Sequence, residues 1–346
     1  MADRRTALDN GALMRRRDRS ARRVMRPSDF DSKIWWHVLR RVWTESDRRN
    51  LGLVSAGVAF YALLSIFPAL AALIAIWGFV ADPSMIQDQL GLAAQLLPED
   101  VFMILQQQVT TLVSANNSTL QLTSLVSLLL ALWTAKNSVG AIIRGLNSIY
   151  REKHRANPLK RYGTAIVLTL VLLAIAMVSI ASVVILPSVL AFLRLPVLAE
   201  LAITVAQWLI LLAVVFFGIA VLYRYGPNRR GARTPWVTPG ALAAMFFWTA
   251  GSLALSIYLR NFGNYNEVYG SLGAVVALLF WFYISAYVIL LGALLNAELE
   301  LATATDTTIG AERPPGAREA FVADYIIDSN GETRLADDIP RRYQLR

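Results

Sequence analysis

The residues from Thr234 to Glu300 constrain the fold more than any other part of this chain. Two apolar segments, about Trp236 to Leu259 and Gly270 to Leu295, flank one short polar loop, NFGNYNEVYG. Each segment exceeds the roughly 20 residues a helix needs to cross a hydrocarbon layer about 30 Å thick. A helix in a soluble core keeps a polar stripe toward water, and neither segment has one. Together they predict a membrane hairpin.

Four further apolar runs precede it: Leu51 to Val80, Leu120 to Ala135, Thr164 to Leu190 and Val197 to Leu222. Basic residues alternate between the connections. Residues 1–49 hold 14 Lys and Arg against 7 Asp and Glu, residues 136–163 hold seven basic residues and one acid, and residues 224–235 hold four arginines and no acid. The other three connections contain no basic residue, Arg194 and Arg260 respectively. Positive charge collects on the cytoplasmic side of membrane proteins. The fold expected is therefore an all-α polytopic membrane protein with six transmembrane helices and both termini in the cytoplasm. This pattern also accounts for the net charge of +9 without a nucleic-acid partner. The segment SDFDSKIWWHVLRRVWTES spaces Ile34, Trp35, Val38 and Val42 as one helical face, which suits a helix lying in the cytoplasmic interface.

The chain divides into a basic N-terminal tail with that interfacial helix (1–50), a six-helix membrane domain (51–301) and an acidic C-terminal tail expected to be loosely ordered (302–346). Residues 81–118 carry four acids and no Lys or Arg, with apolar residues at helical spacing on both sides of Pro98. They predict amphipathic extracytoplasmic helices between helices 1 and 2. Pro68 should kink the first crossing, and Ser55, Ala56, Gly57 and Ala59 should let a neighbour approach closely.

Several chemistries are excluded. The chain has no cysteine and two histidines, His37 and His154, so neither a thiolate nucleophile nor a His-based metal cluster can be assembled. No phosphate-binding GxxxxGK[ST], GxSxG or HExxH motif occurs. No cofactor and no metal are expected. Candidate pathway residues are Tyr61, Ser65 and Pro68 in the first helix, and Asn261, Asn264, Tyr265 and Glu267 around the outer loop. Asn296 and Glu298 join them at the inner end of the last helix, where an intramembrane acid is a functional candidate by default. Arg144, Arg151, Arg229 and Arg230 are candidate contacts for lipid phosphates. Lys136 and Asn137 are read as ending the second crossing, with the lysine reaching toward the interface.

The segments AFYALLSIFPAL (59–70), LWTAKNSVGAIIRGLNSIYR (132–151), YGPNRR with TPWVTPGALAA (225–244), SIYLRNFGNYNEVYGSLGAVVALLFWFYIS (256–285) and the closing LLGALLNAELE resemble the YihY/virulence factor BrkB family of bacterial inner-membrane proteins. The resemblance covers about Ala56 to Glu300 and implies six helices in the cytoplasmic membrane. Members have carried the label ribonuclease BN, but a zinc nuclease needs a ligand cluster that two isolated histidines do not supply. The expected function is transport or translocation of a lipid or other amphiphile in the cell envelope, with membrane lipids as partners. The alternatives are a non-catalytic scaffold that recruits an envelope protein and, third, a lipid-modifying enzyme.

Overall fold

A computed structural model describes residues 26–80, 117–153, 157–193, 197–261, 272–327 and 333–336. The described residues form eight α-helices: α1 (Ser32–Arg48), α2 (Leu51–Val80), α3 (Asn117–Ile149), α4 (Pro158–Leu193), α5 (Val197–Tyr225), α6 (Thr234–Asn261), α7 (Leu272–Leu301) and α8 (Phe321–Asp324). A two-stranded antiparallel ribbon of β1 (Tyr325–Ile327) and β2 (Thr333–Leu335) follows, with Tyr325 opposite Leu335 and Ile327 opposite Thr333. Helices α2 to α7 each contain a run long and apolar enough to cross a membrane. The all-α fold with six spanning helices is thus the observed one. The expected extracytoplasmic helices, and Asn264, Tyr265 and Glu267, lie outside the described residues.

The chain forms two compact units. One comprises Ser55–Ala141 and Gly251–Ala286, and the other Met1–Val54, Ile142–Ala250 and Tyr287–Arg346. In the first unit many large apolar side chains face outward, among them Phe60, Phe67, Leu125, Leu129 and Phe280. That is the surface a helix presents to lipid, where no hydrophobic drive exists to bury it. Helices meet there through small and polar groups instead. Ser55 and Ala59, one turn apart, are fully buried. Gly57 faces open space, so the close approach read from the sequence falls on Ser55 and Ala59. Ser138 Oγ donates to the Val58 carbonyl (3.3 Å), and Trp281 Nε1 donates to Ser252 Oγ (3.2 Å). α2 continues through Pro68.

The second unit is packed on all sides, as in a soluble core. Along α7 the residues from Gly292 to Leu301 are buried almost without interruption. α6 and α7 touch backbone to backbone at Gly240 and Gly292, where a Cβ on either would strike the other's carbonyl oxygen. α1 packs inward through Val38 and Val42 and outward through Trp36 and Trp43, which are 73% and 83% exposed. The sequence places Val38 and Val42 toward lipid, whereas here they face protein. The apolar pattern of α1 is two-sided, so periodicity alone selects the wrong face for the membrane. Asn50, at φ 52°, turns the chain from α1 into α2, a left-handed conformation that asparagine tolerates.

The C-terminal segment corrects a further expectation. Residues 302–327 and 333–336 are folded, with Val322, Ala323, Ile326 and Thr307 buried. The polar residues that suggested a loose tail are turn-builders. Asp306 accepts from the Thr308 N–H and hydroxyl (2.9 and 2.7 Å) and from the Arg313 N–H (2.9 Å). Asp324 accepts from the N–H groups of Gly316 and Arg318. The Arg318 guanidinium donates to the carbonyls of Arg313, Ala323 and Ala304. A composition count cannot tell an acid that solvates a tail from one that caps a turn.

Candidate functional site

The polar chemistry of the second unit gathers on the inner end of α7. Asn296, Glu298 and Glu300 are two residues apart, and a helix advances about 100° per residue, so Asn296 and Glu300 share a face while Glu298 points nearly opposite. Each takes a different neighbour. Asn296 Oδ1 accepts from the Gly240 N–H (2.7 Å) and its Nδ2 donates to the Val237 carbonyl (3.0 Å), which ties α7 to the first turns of α6. Glu298 accepts from Arg41 Nε of α1 at 2.7 Å. Glu300 accepts from both terminal nitrogens of Arg229 (3.1 and 2.7 Å) and from the Thr307 hydroxyl (2.6 Å).

The Arg229–Glu300 pair is the most enclosed, with side chains 2% and 0% exposed. The Arg229 guanidinium lies 4.8 Å from the Tyr150 ring centre, so the cation has a carboxylate on one side and a π face on the other. Burial and then the Glu300 charge push the Tyr150 hydroxyl far above its ordinary range, so it stays protonated. Burial works against the Arg229 cation, but Glu300 outweighs it and keeps the guanidinium charged.

A second cluster surrounds Glu45 on α1. It accepts from Arg48 (3.0 Å) and Arg49 (3.1 Å), and Arg151 approaches to 4.0 Å. Burial would raise the Glu45 carboxyl, yet the Arg48 hydrogen bond and the Arg49 charge hold it below the usual carboxylate range. Arg151 also donates to the Thr333 hydroxyl (2.9 Å) and stacks over Phe321, whose N–H donates to Glu152 (2.7 Å). Burial raises the Glu152 carboxyl, and that backbone N–H offsets it in part.

In the first unit the notable group is Lys136. It is 8% exposed, and its Nζ sits 3.8 Å from the Trp133 ring centre. The sequence reading ends the crossing here, but α3 runs on to Ile149, so Lys136 lies inside a helix that spans Leu125–Ile149. The Lys136–Trp133 spacing of three residues was visible in LWTAKNSVG; the continuation of the helix beneath it was not.

The predicted residues divide accordingly. Asn296, Glu298, Arg151 and Arg229 fall in the inner-end networks, with Arg41, Glu45, Tyr150 and Glu300 as members the sequence did not single out. Tyr61, Ser65 and Pro68 are half-buried along α2, with Ser65 Oγ donating back to the Ala62 carbonyl (2.7 Å). Asn261 ends α6. Arg144 is exposed on α3, and Arg230 donates to the Ala311 carbonyl (3.1 Å). Arg229 is engaged by Glu300 and closed to a lipid phosphate. Among the described residues no three His, Cys, Asp or Glu converge as a metal ion would require.

A family model described as virulence factor BrkB matches residues 42–317. The chain belongs to this family. Putative ribonuclease-like protein YfkH of Bacillus subtilis is 31% identical over 265 residues, covering 71% of this chain and 88% of that protein. A UPF0761 membrane protein of Verminephrobacter eiseniae is 29% identical over 289 residues, covering 81% of this chain and 66% of the relative. Another from Delftia acidovorans is 28% identical over 285 residues, covering 81% and 64%. The chain thus spans just under two thirds of these two relatives' lengths. No solved structure matches. Family and spans together make this a multi-pass protein of the bacterial cytoplasmic membrane.

Proposed function

We propose that this membrane protein moves an anionic lipid or similar amphiphile between the leaflets of the cytoplasmic membrane. The observation that carries the reading is Lys136. A cation held within an apolar helix costs about 3 kcal/mol or more at the middle of a bilayer, and such residues mark substrate paths. The Trp133 ring offsets part of that cost, and an anionic headgroup passing the site would offset more. Half-buried Tyr61 and Ser65 on α2 add polar groups in the same unit, where Ser138 joins α3 to α2 at Val58. The ribonuclease-like name of the Bacillus relative suggests a different chemistry. It would require a metal-ligand cluster, for which the chain offers two histidines.

The test is leaflet exchange of fluorescent phosphatidylglycerol and phosphatidylcholine in liposomes with and without protein. Lys136→Met should return anionic-lipid exchange toward the empty-liposome rate, Lys136→Arg should retain it, and Glu267→Gln and Asn296→Ala probe the two ends. No acceleration with any lipid class, together with co-purification of a stoichiometric envelope protein, would support the scaffold instead. The braced inner end of α7, tied to α1, α6 and the C-terminal segment, is the observation that favours that second reading.

A further inference from the structure

The connection RYGPNRRGARTPW between α5 and α6 holds four arginines and no acid. Among the described residues Arg229 is the one of these with a carboxylate partner. Arg233 Nε donates to the Thr308 carbonyl (2.8 Å), and one terminal nitrogen of Arg230 to that of Ala311 (3.1 Å). Two guanidinium N–H groups are left buried without an acceptor: Arg224 Nε and the other terminal nitrogen of Arg230. Both side chains lie along one short ribbon. Its spine is an antiparallel bridge between Ala232 and Thr308, with the Ile309 N–H donating to the Gly231 carbonyl (3.0 Å). A side chain at Gly231 would come within 3.4 Å of Arg224 Cγ, and one at Gly310 would strike the Arg230 guanidinium. Gly310 also has φ 92°, so glycine is required there twice over.

Buried guanidinium donors that lack acceptors call for an acceptor-rich anion, and phosphate matches the guanidinium fork. We propose that Arg224 and Arg230 form a binding site for a phosphate group at the inner face of the membrane. Arg224 lies in the last turn of the Leu201–Tyr225 span beside exposed Tyr225, at the level where aromatic rings meet lipid headgroups. A phospholipid headgroup is therefore the favoured source, and a soluble phosphate compound the other. The rest of the Arg230 side chain is part-exposed, so rotation of its guanidinium brings the orphan N–H to the surface without moving the backbone. A lipid held here as a fixed ligand needs no transport, so this site stands or falls independently of Lys136.

The experiment uses the full chain in phosphatidylcholine nanodiscs, titrated with phosphatidylglycerol. Sodium phosphate is compared with chloride at equal ionic strength. Bound lipid is counted by native mass spectrometry, and thermal unfolding is followed by tryptophan fluorescence. Wild type should retain phosphatidylglycerol over phosphatidylcholine. Arg224→Gln with Arg230→Gln should weaken that binding about tenfold or more, since two charge-assisted bonds are lost. Lys160→Gln, an exposed charge on α4, should leave it unchanged. Retention of phosphatidylglycerol without a response to phosphate supports the lipid source, and a response to both supports a general phosphate site. If the glutamine pair aggregates, Arg224→Lys with Arg230→Lys keeps the charge, removes the fork and should show the same direction of loss. The proposal is overturned if wild type distinguishes neither pair of ligands, if the folded double variant binds as wild type, or if Lys160→Gln weakens binding equally.

Discussion

Replacing Glu300 with glutamine keeps the side-chain shape and removes one charge from a pair that is almost wholly enclosed. The Arg229 cation then remains buried without its counter-ion. Breaking a buried pair from one side costs about 3–5 kcal/mol, because the remaining charge has lost its compensation. The Tyr150 face retains part of its attraction, on the order of 1–2 kcal/mol, which places the expected loss toward the lower end. Arg229→Met combined with Glu300→Leu removes both charges and should recover most of the loss. A deficit of about 1–3 kcal/mol should remain, because the buried Thr307 hydroxyl has lost its acceptor. Adding Thr307→Val should then close most of that gap. The assay is denaturant unfolding in mixed micelles across the three variants and wild type. A loss below about 1 kcal/mol for Glu300→Gln, or a double variant less stable than the single, would refute the reasoning.

Gly240→Ala and Gly292→Ala should each destabilise by about 1–3 kcal/mol or more, since the new methyl meets an opposing carbonyl; accumulation of a fluorescent fusion reads this, and Gly57→Ala, facing open space, is the silent control. Asn296→Ala should leave the Gly240 N–H and the Val237 carbonyl unpaired, at about 2–5 kcal/mol, and Asn296→Asp should restore one of the two bonds. Burial raises the Asp306 carboxyl, but the Thr308 and Arg313 donors outweigh it and hold it low, as arginines do for Glu45. The stability that both groups contribute is complete above the unfolded-chain values near pH 4 and is lost as pH falls through the lower folded values. Hydrogen exchange of residues 302–327 should accordingly rise only in acid below about pH 4, and a rise between pH 7 and 5 would contradict this. The chain has no native cysteine, so single-cysteine labelling is clean; a cysteine at Lys33 should react only from the cytoplasmic side and one at Asn264 only from outside.

The six crossings were legible because lipid imposes a length and an absence of charge, which a sequence displays directly. The ends of the helices were less so. α3 was read as stopping near Lys136 because polar residues follow, yet the helix continues into a unit with a soluble-type core, where buried and polar residues mix. Asn296 and Glu298 could be picked out as polar groups at the end of an apolar run. Their partners could not, since Arg41 is 257 residues away from Glu298 and Gly240 is 56 from Asn296. Glu300 was passed over because at a helix end an acid looks solvated, and only the fold of residues 302–327 encloses it. Arg224 and Arg230 were counted as topology charge. Their unpaired donors become visible only when Gly231 and Gly310 bring the ribbon against them.

The pairing of Glu298 with Arg41 and of Glu300 with Arg229 also sets an order of assembly during synthesis. Arg41 emerges from the ribosome with the first helix, and Arg229 two helices before the end. Both counter-ions arrive only with the last crossing, and the Thr307 hydroxyl later still. Until then each arginine can rest among lipid phosphates. A nascent chain arrested before residue 298 therefore has six inserted helices and an unlocked cytoplasmic side. Membrane quality-control proteases can tell such an intermediate from the finished protein by that open end alone.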